Sequence, residues 1–210
     1  YGINRTNPFC NDPLKYVSKI NLTEQCDFNN IFVKTARNIL NNDIVSSKSQ
    51  ELLTNGHQTS GNLLLLKVDF MEEIKRILDS EIEKYRLYFK DSAEGFIRHW
   101  PKEYSLYGWL ISMKSGGELR PHMHEEGWIS GSVYINVPSK SKIDSGNLVV
   151  CIDDEEYTTC ANKTLKKSID MVTVAYVFFL LHYFTTLFHL NQRKSALFWR
   201  LMSNQHNSLF

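Results

Sequence analysis

The sequence predicts an α+β fold, an antiparallel sheet braced by helices, and three observations lead to that prediction. Residues 109–113 and 128–135 are aromatic and β-branched runs closed by glycine and proline, which is typical of β-strands. From Phe70 to Phe89 apolar residues recur at helical spacing, and a helix with one apolar stripe packs on one face of such a sheet. The 210 residues are 42% hydrophobic with a formal net charge of +1, which allows one globular core and does not suggest nucleic-acid binding.

The N-terminal region is predicted to lead into the domain. Residues 1–27 are rich in Asn, Pro and Cys without periodicity, so we predict a linker from an upstream region, in keeping with Tyr1 rather than Met at the start. Apolar residues at helical spacing from Phe28 to Leu40 predict a first packing helix. The domain proper is therefore predicted to span residues 28–172.

The long helix has a predicted start and a predicted buried face. Residues 63–68 form a short apolar run that predicts a strand, and Asp69 with Glu72 three residues later predicts an N-cap and capping box. The stripe is predicted to pack against the sheet without contributing a ligand, with Lys75 and Glu83 facing water. Its predicted members are Ile74, Leu78, Ile82 and Tyr85.

One cluster of candidate metal ligands lies between the two strand runs. His122, His124 and Glu126 are two residues apart, so on an extended strand their side chains share one face and can converge on one ion. Imidazole and carboxylate ligands without cysteine suit non-haem Fe(II), Mn(II) or Zn(II). A hydrogen-bonded or surface pair of histidines is the alternative interpretation. The acidic run 153–156 lacks the spacing of a calcium loop and is predicted to be a solvated turn.

The same region carries a family resemblance. The string His-Met-His-Glu-Glu-Gly-Trp-Ile-Ser-Gly-Ser-Val-Tyr-Ile at 122–135, followed by Ser-Gly-Asn-Leu at 145–148, resembles the 2-oxoglutarate and Fe(II) dependent oxygenases. Gly-His-Gln-Thr-Ser-Gly-Asn-Leu at 56–63 and Trp-Pro-Lys-Glu-Tyr at 100–104 match that family in the same order, so the resemblance covers residues 7–172. It implies a double-stranded β-helix, or jelly roll, with a metal at one open end. It also implies tetratricopeptide helical repeats upstream.

The resemblance further implies an activity, cofactors and site residues. The activity is that of a dioxygenase, or hydroxylase, that uses Fe(II) and 2-oxoglutarate, with His122 and His124 as metal ligands. Glu126 is the alternative partner of His124, because His-x-Glu resembles the His-x-Asp of the wider superfamily. Tyr134 on the next strand is a candidate for lining the cofactor pocket, and a core tyrosine is the alternative. The substrate, a small molecule or a protein, stays open.

The C-terminal residues differ from the rest of the chain. Residues 171–190 carry no charge, and an apolar run of this length can span a bilayer. His182 and aromatic residues spread along its whole length argue against a membrane span. Because the run also lacks a glycine or proline turn, we predict an aberrant helical tail over residues 173–210 that leaves the β-helix incomplete. A non-catalytic β-helix interaction module, anchored through this run, is the alternative function.

The genetic code offers an explanation for this tail. Back-translation of residues 178–203, read one base earlier, permits the string LFPSSLFHHFIPFESKKERIVLAFDV, which is similar to the end of the oxygenase family. The resemblance implies that this string holds the His that completes the metal site and the Arg that binds the 2-oxoglutarate carboxylate. One G restored after the Thr173 codon joins the two frames. We therefore predict a one-base deletion that leaves this chain without both residues and without activity, so no residue is assigned a catalytic role.

Cysteine usage bears on the compartment. The chain shows neither Cys-x-x-Cys spacing nor the cysteine density of a small secreted domain. No signal peptide is recognisable at its start. Reduced thiols in a cytoplasmic protein are therefore predicted for Cys10, Cys26, Cys151 and Cys160.

Overall fold

The helical elements of the protein precede most of its sheet. The computed structural model describes residues 9–122, 124, 127–137, 146–151, 166–171, 175–180, 184–187 and 196–205, the last three ranges by their backbone. A 3-10 turn at Leu63–Leu65 and a π-helical turn at Asn29–Lys34 accompany the α-helices, and the π-helical turn continues directly into the first of them. The α-helices are α1 Thr35–Asn41, α2 Met71–Tyr88 and α3 Gly95–Arg98.

The strands pair throughout in antiparallel fashion into a ten-stranded sheet. Its order is β1-β8-β5-β10-β4-β9-β6-β7, while β3 pairs with β4 and with β2. Most neighbours in the sheet are distant in the chain, which is the pattern of a jelly roll and not of a meander. The strands are β1 Ser18–Asn21, β2 Ser47–Lys48, β3 Leu53–Thr59, β4 Tyr104–His122, β5 Gly127–Asn136, β6 Leu148–Cys151, β7 Lys166–Ile169, β8 Ala175–Leu180, β9 Phe184–Leu187 and β10 Ala196–Gln205.

Strand β4 belongs to two parts of this sheet. Its first half pairs with β10, and its end, at His122, pairs with β9. Between the two halves Gly116 has a φ of +73°, and a Cβ on Gly117 would lie 2.8 Å from the carbonyl oxygen of Lys114. Glycine fits this bend without displacing the backbone, whereas a side chain does not. The bend carries β4 from the main set of strands to the opening where His122 lies.

Helix α2 confirms the predicted buried stripe. Its outer face is polar, with Glu83 exposed and Lys75 partly exposed, each in an ion pair three residues along the helix. The helix contacts the turns Asn29–Lys34 and Leu63–Leu65, and the predicted packing of the stripe against the sheet stays a prediction. The Tyr85 hydroxyl donates a hydrogen bond to the Tyr16 carbonyl oxygen at 2.7 Å. All four predicted members are buried: Ile74, Leu78, Ile82 and Tyr85.

Two local predictions near α2 are wrong. The helix is preceded by Phe70 in the left-handed region, with φ of 64° and no side-chain cap, so Asp69 does not form the predicted capping box. Residues 63–65 form a 3-10 turn instead of a strand. The cause is Asn62, whose side-chain oxygen accepts a hydrogen bond from the N–H of Leu64 at 3.2 Å and closes the turn.

The predicted helical tail is also wrong. The described residues of the tail form β8, β9 and β10, and β10 lies between β4 and β5. The prediction relied on missing turns and missing alternation, but a strand buried on both faces has a continuous apolar sequence, and aromatic and β-branched residues favour extended backbone. These strands therefore complete the sheet. Among the described residues, no helix is long and apolar enough to cross a membrane.

The described part of the predicted linker packs against the domain. Strand β1 pairs with β8, and the side chains of Tyr16 and Leu22 are buried. The ring of Tyr16 meets that of Phe96 edge to face, with centroids 4.7 Å apart. Residues 9–27 thus contribute to the core, while the predicted domain boundaries stay predictions.

Candidate metal centre

A cavity of about 190 Å³ opens beside the end of β4. Trp109 and Ile111 lie two residues apart on β4 and so share a face, and Gln58 on β3 stands in register with Ile111. The pairing of β3 with β4 therefore brings an amide side chain to the wall that also carries the histidines. The residues that line the cavity are Gln50, Gln58, Trp109, Ile111, Leu119, His122 and His124.

His122 is held in an orientation that suits metal binding. It is the last residue of β4, and its Nδ1 lies 2.8 Å from the carbonyl oxygen of Arg120. A carbonyl oxygen only accepts hydrogen bonds, so Nδ1 carries the proton and Nε2 carries the lone pair. A histidine ligand commonly has this arrangement, in which one ring nitrogen is fixed by a backbone carbonyl and the other binds the ion.

His124 lies beside His122 at the same cavity. Their ring centroids are 4.9 Å apart and their planes are 77° apart. A metal–imidazole bond is about 2.0–2.1 Å long, so two rings at this separation are close enough to bind one ion. The ring of His124 also contacts that of Trp109, with centroids 5.7 Å apart. The structure thus brings the two predicted histidines to one cavity, although His124 lies beyond the end of β4 and not on the strand where period-two spacing placed it.

A third ligand is not found among the described residues. Glu126 lies outside them, and in the part of the chain that the structure describes no three His, Cys, Asp or Glu residues are grouped closely enough to hold a metal. The strand opposite the end of β4 is β9, where Thr185 stands in register with His122. The roles of His122, His124 and Glu126 as metal ligands therefore stay predictions.

Tyr134 lies in the core of β5 and is 2% exposed. It is not among the described residues that line the cavity, so its predicted role at the cofactor stays a prediction. Sequence reasoning missed Trp109, Gln50 and Gln58 as cavity residues. The spacing from Trp109 to Ile111 could have indicated a shared face, but the approach of Gln58 depends on a strand pairing that local patterns do not contain.

The hydrogen bonding of the Trp109 indole bears on what the cavity can bind. Its side chain is 6% exposed, and its buried Nε1 makes no hydrogen bond to the part of the chain that the structure describes. By contrast, Nε1 of Trp128 donates to the Phe96 carbonyl oxygen at 3.0 Å. Buried N–H groups are normally paired, so the indole of Trp109 offers a donor at the cavity.

The groups whose pKa is shifted most lie away from the cavity. Burial raises the pKa of the Cys10 thiol to about 12, and the nearby Glu94 carboxylate acts in the same direction. Burial also raises the pKa of Tyr104 to about 12, and its hydroxyl donates to Asp79 at 3.2 Å. No Lys, Arg, Asp or Glu is among the described residues that line the cavity. Apart from its histidines, the described lining is neutral.

The strand order and the preceding helices define a double-stranded β-helix, which confirms the fold that the resemblance implied. Residues 107–177 match the family model described as "Putative 2OG-Fe(II) oxygenase". The family resemblance predicted from the motifs is thereby confirmed. Among curated proteins, no sequence matches this chain.

Solved structures of oxygenases share this fold at low sequence identity. A prolyl-4-hydroxylase from Pseudomonas putida is similar with a TM-score of 0.63 and 11% identity, covering 91% of this chain and 93% of its own. A prolyl hydroxylase from Trichoplax adhaerens, in complex with a hypoxia inducible factor peptide fragment, has a TM-score of 0.62 and 11% identity over 90% and 83%. HygX from Streptomyces hygroscopicus, with nickel and 2-oxoglutarate bound, has a TM-score of 0.55 and 8% identity over 91% and 83%.

Proposed function

We propose that this chain is an Fe(II) and 2-oxoglutarate dependent dioxygenase of the hydroxylase type whose metal site is incomplete in the present reading frame. The observation that supports it is the pair His122 and His124 at one cavity, with Nδ1 of His122 held by the Arg120 carbonyl. In this proposal both histidines bind the metal, each through one ring nitrogen. When bound, Fe(II) and 2-oxoglutarate supply the oxidising chemistry.

The residues of the chain have defined tasks in this proposal. The Arg120 carbonyl keeps the proton of His122 on Nδ1, so that Nε2 faces the metal without a change of tautomer. Ile111 and Leu119 give the cavity an apolar side that limits water. The substrate class stays open, since similar structures include a complex with a peptide fragment and one with hygromycin B.

In this proposal the reading frame accounts for the absence of a third ligand from the described residues. In the frame read one base earlier, the codon at position 185 combines the last base of the Phe184 codon, T or C, with the first two bases of the Thr185 codon, A and C. In that frame residue 185 is therefore His or Tyr. Position 185 is also the one in register with His122. Two independent facts, the codon and the strand pairing, thus support a distal His at this position in the undisturbed frame.

The arginine of the frame read one base earlier lies at a position suited to binding 2-oxoglutarate. In that frame the string has Arg at position 196, the first residue of β10, in register with Met113 on β4. Because side chains alternate along a strand, position 196 shares a face with Ile111, which lines the cavity. In this proposal the undisturbed frame supplies both the third ligand and a cation for 2-oxoglutarate, and the present frame supplies neither.

The nucleotide sequence around the Thr173 codon tests the frame directly. We expect that one G inserted there yields a chain that holds iron stoichiometrically and forms succinate from 2-oxoglutarate, whereas the chain as given forms none. The matched control is a silent change of the same codon. Equal turnover by the two chains contradicts the frameshift, and absence of iron from the repaired chain contradicts the oxygenase assignment as well.

A non-catalytic β-helix module is the second candidate function. It is favoured by the absence of a three-residue metal cluster from the described part of the chain. A chain that keeps the sheet without binding metal at micromolar concentration supports this candidate. Free thiols at Cys10, Cys26 and Cys151 are in keeping with a cytoplasmic location, which we include in the proposal together with upstream helical repeats.

A further inference from the structure

The indole N–H of Trp109 is a buried donor without a hydrogen-bond partner in the described part of the chain. Leaving such a group unpaired costs about 1–3 kcal/mol, so folded proteins rarely keep one without a reason. Within the described part of the chain, the fold makes no use of this N–H as a hydrogen-bond donor. A ligand in the cavity that Trp109 lines would satisfy the donor.

The cavity indicates what such a ligand is. Its volume of about 190 Å³ is below the roughly 300–1,000 Å³ of pockets for drug-sized molecules, so it suits a small compound. The described lining offers neutral donors, the indole N–H of Trp109 and the amides of Gln50 and Gln58, beside two aliphatic side chains. Carboxylate and carbonyl oxygens are the acceptors that such donors bind.

The contact between Trp109 and His124 places the indole beside a proposed metal ligand. Their ring centroids are 5.7 Å apart, so an acid bound beside the histidines would also lie close to the indole ring. We propose that Trp109 is a binding residue for the 2-oxo acid, whose carboxylate accepts a hydrogen bond from the indole Nε1–H. This inference rests on the proposed function, because it takes the acid to be bound beside the histidines.

Indole NMR tests the inference without any turnover. The protein has four tryptophans, and each gives one indole N–H signal in a ¹⁵N spectrum. Zn(II) replaces iron because it is diamagnetic and has no redox chemistry, and 2-oxoglutarate is titrated to millimolar concentration so that weak binding is detected. We expect the Trp109 signal to move and Trp109→Phe to weaken binding about tenfold or more, since hydrogen bonds to charged groups are the stronger ones.

Trp128→Phe is the matched control, because the Trp128 N–H is already bonded to Phe96. It should leave the affinity for 2-oxoglutarate within about twofold, as expected for a residue outside the described cavity lining. If Trp109→Phe does not fold, the Trp109 signal is assigned by elimination from phenylalanine variants at 100, 128 and 199. The titration of the unchanged protein then decides the question alone.

The outcomes separate the two proposals. Movement of the Trp109 signal with weaker binding by Trp109→Phe supports the inference. Binding detected by other signals, with the Trp109 signal unmoved and equal affinity in Trp109→Phe, overturns the role of Trp109 and leaves the oxygenase assignment standing. If neither the unchanged protein nor the frame-restored chain binds 2-oxoglutarate, the role of Trp109 and the oxygenase assignment are both overturned.

Discussion

The two sides of the candidate metal centre differ in what they offer an ion. The end of β4 brings His122 to the cavity, with His124 beside it, whereas the facing strand β9 presents position 185, a threonine, in register with His122. Both sides nevertheless form strands and pair. Pairing uses backbone N–H and C=O groups that almost every residue has, whereas metal binding needs particular side-chain atoms. A segment can therefore pair into the sheet whether or not its side chains suit a metal.

The largest expected effect comes from giving β9 a histidine in register with His122. Thr185→His should raise the affinity for Zn(II) at least about 100-fold, more than the ~10–100-fold that outer-sphere partners contribute. Thr186→His is the control, because side chains alternate along β9 and position 186 lies on the opposite face. Competition with a chelating dye measures both affinities. An equal gain in the two variants would show that the register of β9 with His122 does not determine the site.

The second largest effect is expected from removing His122, which tests whether the gain in Zn(II) affinity depends on the histidine at the end of β4. In the Thr185→His protein, His122→Ala should lower the Zn(II) affinity about tenfold or more, because the first histidine of the set is lost. His99→Ala in the same background should change the affinity less than about twofold, since His99 is exposed after α3. Calorimetric titration checks both variants. Retention of the gain without His122 would contradict its role as a ligand.

A smaller effect concerns how firmly β4 is held. The Asn62 side chain bonds the N–H groups of Leu64 and Gly108, at 3.2 and 2.9 Å, and the Leu106 carbonyl oxygen at 2.9 Å. Asn62→Ala should lower the free energy of unfolding by about 1–3 kcal/mol, measured with urea. Asn42→Ala, at an exposed asparagine bonded to Asn38, should change it by about 0.5 kcal/mol or less.

If Asn62→Ala were as stable as its control, β4 would be held by its backbone ladder alone. The two sides of the site would then be stabilised in the same way. Both walls of the site would depend on pairing, and only the ligands would differ between them.

The smallest expected effect is a pH dependence in the region that packs on α3. Burial raises the pKa of Cys10 from 9.0 to about 12, so the buried thiol stabilises the fold fully below pH 9 and that stability is lost as the pH rises towards 12. Between pH 8 and pH 10 the unchanged protein should lose about 1 kcal/mol more than Cys10→Ala. Urea unfolding at the two pH values measures the difference. Equal losses would show that the thiol is already accessible in the folded state.

Local patterns predicted the parts of the fold that local physics decides. The stripe of Ile74 and Leu78 follows from helical spacing. His122 and His124 share a cavity as predicted, but only His122 is on a strand, so strand alternation does not explain the position of His124. Asn62 shows where such patterns end. Its side chain closes a turn in an apolar run that would otherwise suit a strand, and it does so by bonding β4, which is remote in the sequence.

The tail strands and the cavity wall both depend on contacts between segments that are distant in the sequence, so local patterns could not predict either. A continuous apolar run fits a helix or a strand buried on both faces, and only the available partners, β4 and β5 on either side of β10, decide between them. Gln58 reaches the cavity through the pairing of β3 with β4, a contact between distant parts of the chain. The sequence pointed to the histidines at the end of β4, whereas strand pairing decides which residues of β9 lie opposite them.

The position of β10 has a consequence for how the protein is made. β10 is the C-terminal described strand, and it lies between β4 and β5, which flank the histidines. During synthesis β4 and β5 leave the ribosome before the strand that joins them exists, so both have an unpaired edge in the interval. Such edges are where chains associate wrongly, and contacts between distant segments form slowly. Any event that delays or alters synthesis of β10 therefore leaves nascent molecules longer with unpaired edges on β4 and β5, and so more prone to associate wrongly.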